Sequence, residues 1–224
     1  MNLPILGFPH AYFDDQTMRG FLAHYYPYDA VRAGTLAPDR WRNESYSGEI
    51  LDFKEGRDQH ISVFTEPFDM MIGLVLDHLR MSSATLVPLP SSRAKSDAAY
   101  SRIPRDKTRP GSPNRDDRVE VFCQKLATRR SGLSWRELIV RVQSKPEKAD
   151  WATAQMLQTL DLGSAVQRLD FNTELFLLVD DVATTYTTAN AAIERLRSVF
   201  PHSLMAVLTI GRSASPTDFQ SIYE

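Results

Sequence analysis

The sequence predicts an α/β fold, with a mainly parallel sheet flanked by helices. The clearest strand is an unbroken apolar run, residues 175–179, that ends abruptly at two acids. Short apolar runs of this kind are typical of parallel strands covered on both faces. Behind it, apolar residues recur at the spacing of an amphipathic crossover helix: Ala189, Ala192, Ile193, Leu196, Val199 and Phe200. The polar loop between the two is therefore expected at the carboxyl end of a central strand, where open α/β sheets bind ligands.

The composition is that of a globular domain. Hydrophobic residues make up 42% and charged residues 24% of the 224 residues. The net charge of −2 gives no overall attraction to nucleic acid or to a membrane. The single cysteine, Cys123, excludes an internal disulfide, and its spacing from neighbouring apolar residues predicts a thiol packed in the core. No long apolar span or secretory signal is evident, so we expect a cytoplasmic protein that does not bind membranes.

The first 59 residues are predicted to form an irregular N-terminal hood or lid, with the α/β domain spanning residues 60–224. Asp14 or Asp15 could cap a helix in this segment. That helix would present one apolar face made of Met18, Phe21, Leu22 and Tyr25. The aromatic residues and prolines that follow suit either a lid on the core or a surface that stacks on a substrate base. Residues 60–64 are a short strand candidate.

A helix is predicted to begin at Thr65, because an N-cap residue is followed by an acid and a proline in the first turn. Residues 85–90 form the next predicted strand, which prolines end. Residues 91–118, here called the basic loop, are rich in Arg and Lys. We expect the basic loop to be mobile without ligand. Its cations suit a departing pyrophosphate, on which charge grows as the bond breaks. A solvated loop or a nucleic-acid contact is the alternative, and the acids in the loop make nucleic acid the less favoured partner.

The remaining segments complete the predicted sheet. Val119, Phe122, Cys123 and Leu126 indicate a helix after the basic loop. A strand is expected near residues 138–142, followed by a polar loop over 143–148. The last predicted strand spans residues 203–210, and the tail beyond it is expected to be peripheral.

The loop after the acids has the chemistry of a phosphate site. Thr184, Thr185, Thr187 and Thr188 stand just before the predicted helix, whose first N–H groups lack partners and whose dipole favours anions. Asp180 and Asp181 can accept hydrogen bonds from vicinal sugar hydroxyls or hold Mg²⁺ through water. Together these groups suit a ribose 5-phosphate. The alternative is an ordinary buried strand followed by a capped helix, although one capping residue would suffice for that.

The segment Phe176-Leu-Leu-Val-Asp-Asp-Val-Ala-Thr-Thr-Tyr-Thr-Thr188 resembles the motif of the type I phosphoribosyltransferases: four apolar residues, two acids, then a threonine-rich loop. Two weaker similarities, Ile50-Leu-Asp-Phe-Lys54 and Val87-Pro-Leu-Pro90, favour the competence-protein ComF type within that family. The N-terminal cysteine cluster of many such proteins is absent. The family normally has Gly where this chain has Tyr186. We expect Tyr186 to adopt a positive φ, with its ring directed outward or toward the hood.

The resemblance implies transfer of a phosphoribosyl group from phosphoribosyl diphosphate to a nitrogen nucleophile, with Mg²⁺ as cofactor. Members of the family are commonly homodimers, so the resemblance also implies a homodimer. Asp180 and Asp181 would be the catalytic and metal-binding acids. The 5-phosphate would be held by Ala183, Thr184, Thr185, Tyr186, Thr187 and Thr188. Ser91, Ser92 and Arg93 would bind pyrophosphate, and Lys145 or Lys148 would lie in a flexible loop that closes over the sugar. The alternative is a non-catalytic sensor or accessory subunit of a DNA-handling system that binds phosphoribosyl diphosphate or a nucleotide.

Overall fold

A computed structural model of the chain describes residues 10–14, 17–26, 46–109, 111–146, 151–169 and 175–214. The elements follow one another as β1 (His10–Asp14), β2 (Thr17–Tyr25), α1 (Ser47–Glu55), α2 (Asp58–Val63), α3 (Thr65–Leu79), β3 (Ala84–Pro88), α4 (Arg118–Arg129), β4 (Leu133–Trp135), β5 (Ile139–Arg141), α5 (Thr153–Gln158), β6 (Leu160–Leu162), a 3₁₀ turn (Ser164–Arg168), β7 (Leu175–Ala183), α6 (Thr187–Arg197) and β8 (Leu204–Ser213).

The main sheet has six strands in the order β1-β2-β8-β7-β3-β4. All neighbouring pairs from β2 to β4 are parallel, and β1 is antiparallel to β2 at the edge. Strands β5 and β6 form a separate antiparallel pair. The predicted class, α/β with a mostly parallel sheet flanked by helices, is confirmed.

Strand β7 divides the core into two layers because its side chains alternate between the faces of the sheet. Leu175, Leu177 and Val179 pack in the cluster that includes α1 to α4. Phe176 and Leu178 pack on the other face with residues of α5 and α6. An unbroken apolar run is what a strand buried on both faces requires, so the prediction for this segment is confirmed.

Two secondary-structure predictions are wrong. The segment expected to be a helix around residues 14–25 contains strand β2, which pairs with β8 from Thr17↔Met205 to Tyr25↔Ser213. Its apolar residues do not alternate because both faces are covered, and their spacing therefore imitated a helix. The strand expected at residues 60–64 is the end of α2. Ile61 and Phe64, three positions apart, are buried, whereas the intervening Val63 is 41% exposed.

The other predicted elements are present. Helices α3 and α4 and strands β3 and β8 lie where the sequence placed them. The strand expected near residues 138–142 is β5, but it belongs to the small sheet. Cys123 is buried in the core, where burial raises the pKa of its thiol well above the usual value.

The segment expected to form a hood contributes to the main core. Strand β2 and helix α1 lie within residues 1–59, and Met18, Ile50 and Phe53 pack in the same cluster as β7. The described parts of this segment are therefore regular rather than irregular. The division at residue 59 stays a prediction, and residues 215–224 lie outside the described part of the chain. Within the described ranges, no helix combines the length and apolar character needed to cross a bilayer.

Candidate functional site

A cleft opens at the carboxyl ends of β7 and β8, beside the loop that begins α6. Its empty volume is about 600 Å³, including space open to solvent. The loop predicted to bind phosphate lines this cleft, as do Trp151 and Met156. The cleft is lined by Leu89, Lys145, Trp151, Met156, Asp180, Val182, Ala183, Thr184, Thr185, Tyr186, Thr187, Thr188, Ala189, Val207 and Thr209. The structure thus brings Asp180, the threonine loop and Lys145 together. Lys148 lies outside the described residues.

Asp180 presents its carboxylate to this cleft. One oxygen accepts the backbone N–H of Asp181 at 2.8 Å, and the other accepts no hydrogen bond from a described residue. Thr209 lies beside Asp180 on β8; it is completely buried, and its hydroxyl has no partner among the described side chains. Burial, and then the charge of Asp181, raise the pKa of Asp180 to about 7. Asp180 therefore offers a ligand a carboxylate, with the buried hydroxyl of Thr209 on the neighbouring strand.

Asp181 has a different environment because successive residues of a strand face opposite sides of the sheet. Its Oδ2 accepts hydrogen bonds from Arg118 Nε at 2.8 Å and Nη2 at 2.5 Å, and its Oδ1 accepts the N–H of Val182. Both partners of this ion pair are largely buried. Burial alone would raise its pKa, but the charges of Arg118 and Lys54 prevail and lower the pKa of Asp181 to about 2. Only one of the two acids therefore lines the cleft, and a role for Asp181 in sugar or metal binding stays a prediction.

The raised pKa of Asp180 predicts a pH dependence of stability. A carboxyl that titrates near 7 in the folded state and near 4 when unfolded binds its proton more tightly in the folded state. The free energy of unfolding should therefore fall as the pH rises from about 5 to about 8, and this slope should be weaker in Asp180→Asn. The low pKa of Asp181 does not interfere, because its contribution is lost only below about pH 4. Urea unfolding at several pH values measures both slopes, and equal slopes in the two proteins would contradict the prediction.

Tyr186 has the positive φ expected for it. Its φ of 56° and ψ of 14° place it in the left-handed region immediately before α6 begins at Thr187. The hydroxyls of Thr185 and Thr187 lie 2.6 Å apart, and Thr184 Oγ1 lies 3.1 Å from Ser213 Oγ. The loop therefore turns sharply into an 11-residue helix with its threonines at the cleft. The free N–H groups of that helix's first turn are suited to an anion.

The ring of Tyr186 is directed inward. Only 6% of the residue is exposed, and it packs in the core cluster behind the cleft with Leu178 and Ala189. The guanidinium of Arg19, from β2, stands 4.9 Å from the ring centroid, and Arg19 Nη2 donates to Asn190 Oδ1 at 3.0 Å. The outward orientation is thus excluded; the ring faces a strand from within residues 1–59. Tyr186 and Asn190 thus connect the start of α6 to strand β2 through Arg19.

Two of the three predicted pyrophosphate residues, Ser91 and Arg93, line a second cavity, whose empty volume of about 360 Å³ includes space open to solvent; Ser92 is not part of this lining. Arg93 Nη1 lies 3.4 Å from Asp116 Oδ2, and Asp116 is buried. Lys95, also in the lining, pairs with Glu120 at 3.1 Å and Glu137 at 2.5 Å. Carboxylates already offset the charge of both cations.

Further along the basic loop, Lys107 Nζ lies 3.4 Å from Asp52 and 3.1 Å from Glu55 on α1. Arg105 N donates to the carbonyl of Glu55 at 2.9 Å. The basic loop is thereby attached to α1. Its mobility without ligand stays a prediction.

The segment after β5 is hydrogen-bonded to the start of the basic loop. Lys145 N donates to Ser92 O at 2.7 Å, and Ala94 N donates to Ser144 Oγ at 3.0 Å. Ser144 Oγ also donates to Asp97 Oδ2 at 2.5 Å. The predicted flexible loop and the predicted pyrophosphate loop, about fifty residues apart in the sequence, therefore form one hydrogen-bonded unit.

The sequence did not indicate the roles of Arg141 and Thr209, and it placed Arg118 in the basic loop without its partner Asp181. Arg141 could have been found as a charged residue inside the apolar stretch 138–142. Nothing in the sequence indicates that Arg118 pairs with Asp181. Among the described residues, no group of three or more His, Cys, Asp or Glu side chains could hold a metal ion. The chain matches no protein-family model, and a search of curated proteins finds no match.

Proposed function

We propose that the chain binds phosphoribosyl diphosphate in the cleft beside α6 and transfers its phosphoribosyl group to a nitrogen nucleophile, releasing pyrophosphate. One observation carries this proposal: the carboxylate of Asp180 and the first residues of α6 line the same cleft. A ribose 5-phosphate satisfies both, because it carries a phosphate and hydroxyls a few bonds apart. The motif resemblance of residues 176–188 to the type I phosphoribosyltransferases supports the same ligand.

In this proposal the chain's residues bind and orient. The N–H groups at the start of α6 and the hydroxyls of Thr184, Thr185, Thr187 and Thr188 hold the 5-phosphate. Asp180 accepts hydrogen bonds from the ribose hydroxyls and lies near the positive charge that develops at the anomeric carbon. The bond from that carbon to the diphosphate oxygen breaks, the pyrophosphate leaves with the electron pair, and a bond to the incoming nitrogen forms. The nitrogen, now positively charged, then loses its proton to solvent.

Magnesium fits this site only as an ion that arrives with the ligand. Asp180 can contribute one carboxylate oxygen, whereas both oxygens of Asp181 already accept hydrogen bonds. Mg²⁺ is commonly held by one or two carboxylates together with substrate phosphates and water. When bound, it would neutralise charge on the diphosphate. We therefore expect Mg²⁺ to strengthen binding of a diphosphate more than binding of a monophosphate.

A second function, non-catalytic binding of phosphoribosyl diphosphate or a nucleotide, is favoured by two observations. Arg118 engages Asp181, and Asp116 engages Arg93, so half of the expected acid pair and one expected pyrophosphate ligand are occupied. Incubation with phosphoribosyl diphosphate, Mg²⁺ and a panel of purine and pyrimidine bases separates the two functions. Base-dependent pyrophosphate release supports transfer, whereas binding without release supports the non-catalytic function.

Phosphate binding is tested by titrating ribose 5-phosphate into the wild type and two variants at one position. Thr188→Glu places a carboxylate in the first turn of α6, where it would repel a phosphate but favour the helix dipole, so the fold should survive. Thr188→Val removes only the hydroxyl. We expect a loss of affinity of at least about tenfold for Thr188→Glu and a smaller loss for Thr188→Val. Calorimetry gives the affinities; absence of wild-type binding, or equal binding by Thr188→Glu, would refute the phosphate site.

A further inference from the structure

Arg141 is a buried cation at the end of β5. Only 6% of the residue is exposed. Its Nε donates to the carbonyl oxygen of Ser91, and its Nη1 donates to Thr159 Oγ1 at 2.8 Å and approaches Met156 Sδ at 3.4 Å. These contacts hold the guanidinium in one orientation between the small sheet and the start of the basic loop.

No carboxylate among the described residues lies within ion-pair distance of Arg141. The two other cations at the 360 Å³ cavity differ in this respect, since Arg93 pairs with Asp116 and Lys95 with Glu120 and Glu137. Asp117, the remaining acid in the lining, pairs with Arg115 at 2.7 Å. Arg141 is therefore the one cation of this lining whose charge no described acid directly neutralises.

The Nη2 group of Arg141 donates to no described residue, and the residue lines the cavity that Ser91 and Arg93 also line. Burial lowers the pKa of Arg141 to about 10, with the charge of Asp180 opposing the shift, so the side chain stays charged at neutral pH. A buried charge without a counter-ion is unfavourable, because burial removes its hydration and no opposite charge compensates for the loss. An anion placed at Nη2 would supply the missing counter-charge.

We propose that Arg141 is an anion-binding residue that receives a phosphate of the ligand at the cavity beside Ser91. The inference rests on the proposed function and specifies its diphosphate end: the 5-phosphate lies at α6, and the far phosphates lie at Arg141. Arg141 Nε donates a hydrogen bond to the Ser91 carbonyl, and Lys145 N donates one to the Ser92 carbonyl. An anion bound at Arg141 would therefore lie where the start of the basic loop meets the segment after β5.

Two probes separate this site from the phosphate site at α6. Inorganic pyrophosphate with Mg²⁺ reports on the Arg141 end, and ribose 5-phosphate reports on the α6 end. In Arg141→Met we expect pyrophosphate affinity to fall at least about tenfold, while ribose 5-phosphate affinity stays within about twofold. Arg141→Lys keeps the charge without the planar fork, so its affinity for pyrophosphate should be intermediate. Arg93→Met should lose less than Arg141→Met, because Asp116 already offsets the Arg93 charge.

Thermal unfolding distinguishes a role of Arg141 in binding from a role in stability, because loss of an arginine needed only for stability would lower the melting temperature markedly. Arg141→Met removes an unpaired buried charge, but it also leaves the Ser91 carbonyl and the Thr159 hydroxyl without this donor. The two effects oppose each other, so the melting temperature of Arg141→Met should fall only slightly below that of the wild type. Equal pyrophosphate binding by Arg141→Met and the wild type would overturn the inference, as would loss of both ligands together with a large fall in melting temperature. Wild-type protein that binds ribose 5-phosphate but not pyrophosphate would overturn it while leaving the α6 site intact.

Discussion

Asp181→Asn is expected to lower the free energy of unfolding by about 3 kcal/mol, whereas Asp180→Asn leaves it unchanged or raises it near neutral pH. The difference follows from the partners of the two carboxylates. Removing the charge of Asp181 leaves the buried guanidinium of Arg118 without its counter-ion. Removing the charge of Asp180 removes a carboxylate that is disfavoured first by burial and then by repulsion from Asp181. Urea unfolding of both variants at one pH measures the contrast between two adjacent and chemically identical residues.

A double-mutant cycle with Arg118→Met identifies the cause. If the ion pair stabilises the fold, Arg118→Met should be destabilising alone but should restore part of the stability when combined with Asp181→Asn. The coupling free energy should exceed about 1 kcal/mol. Additive single effects would show that Arg118 and Asp181 act independently. Ligand titration should give the reverse ranking, with Asp180→Asn losing ribose 5-phosphate affinity more than Asp181→Asn does.

Tyr186→Gly is expected to destabilise the protein by about 2–4 kcal/mol, while ribose 5-phosphate affinity changes by no more than about threefold. The ring is buried, and deleting a buried aromatic side chain costs about 3–5 kcal/mol. Loss of the cation–π contact with Arg19 adds to this. Relief of the left-handed backbone strain at φ 56° returns about 1–2 kcal/mol. Glycine adopts this φ readily, so the loop should keep its N–H groups directed at the phosphate.

Tyr186→Phe is the matched control, because it keeps the ring, its burial and the strained backbone. Its unfolding midpoint should therefore lie much closer to the wild type than that of Tyr186→Gly. Chemical denaturation and calorimetric titration on the same samples give both quantities. If Tyr186→Gly kept its stability and lost ribose 5-phosphate binding, the ring would be a ligand contact rather than a packing residue.

The elements with strong local signals were predictable from the sequence. An apolar run ending in two acids gave β7, and Thr65-Glu-Pro gave the start of α3. Strand β2 and helix α2 were not predictable, because the spacing of their apolar residues depends on which of their faces other elements pack against. Thr17–Tyr25 lies between β1 and β8, and that position is decided by residues almost two hundred positions away.

The position of the candidate site was predictable from the sequence, but the partners of its side chains were not. The order of acids and threonines placed the cleft at the end of β7, where Asp180 and Thr188 do line it. The sequence treated Asp180 and Asp181 as equivalent, since nothing in it shows that Arg118 would meet one of them. Likewise, Tyr186 in a polar loop carried no sign that its ring would be buried. Partners distant along the chain decide these features, and a single sequence does not reveal them.

The position of β8 has a consequence for how the protein is made. Strand β8 stands between β2 and β7, so the β1–β2 pair joins the rest of the sheet only through residues 204–213. During synthesis, β2 leaves the ribosome almost two hundred residues before its parallel neighbour β8 exists. Pairings of such long sequence separation form slowly and leave apolar strands exposed meanwhile. A nascent chain that stops short of β8 would present two unpaired strand edges, one on β2 and one on β7, and would be a natural substrate for chaperones.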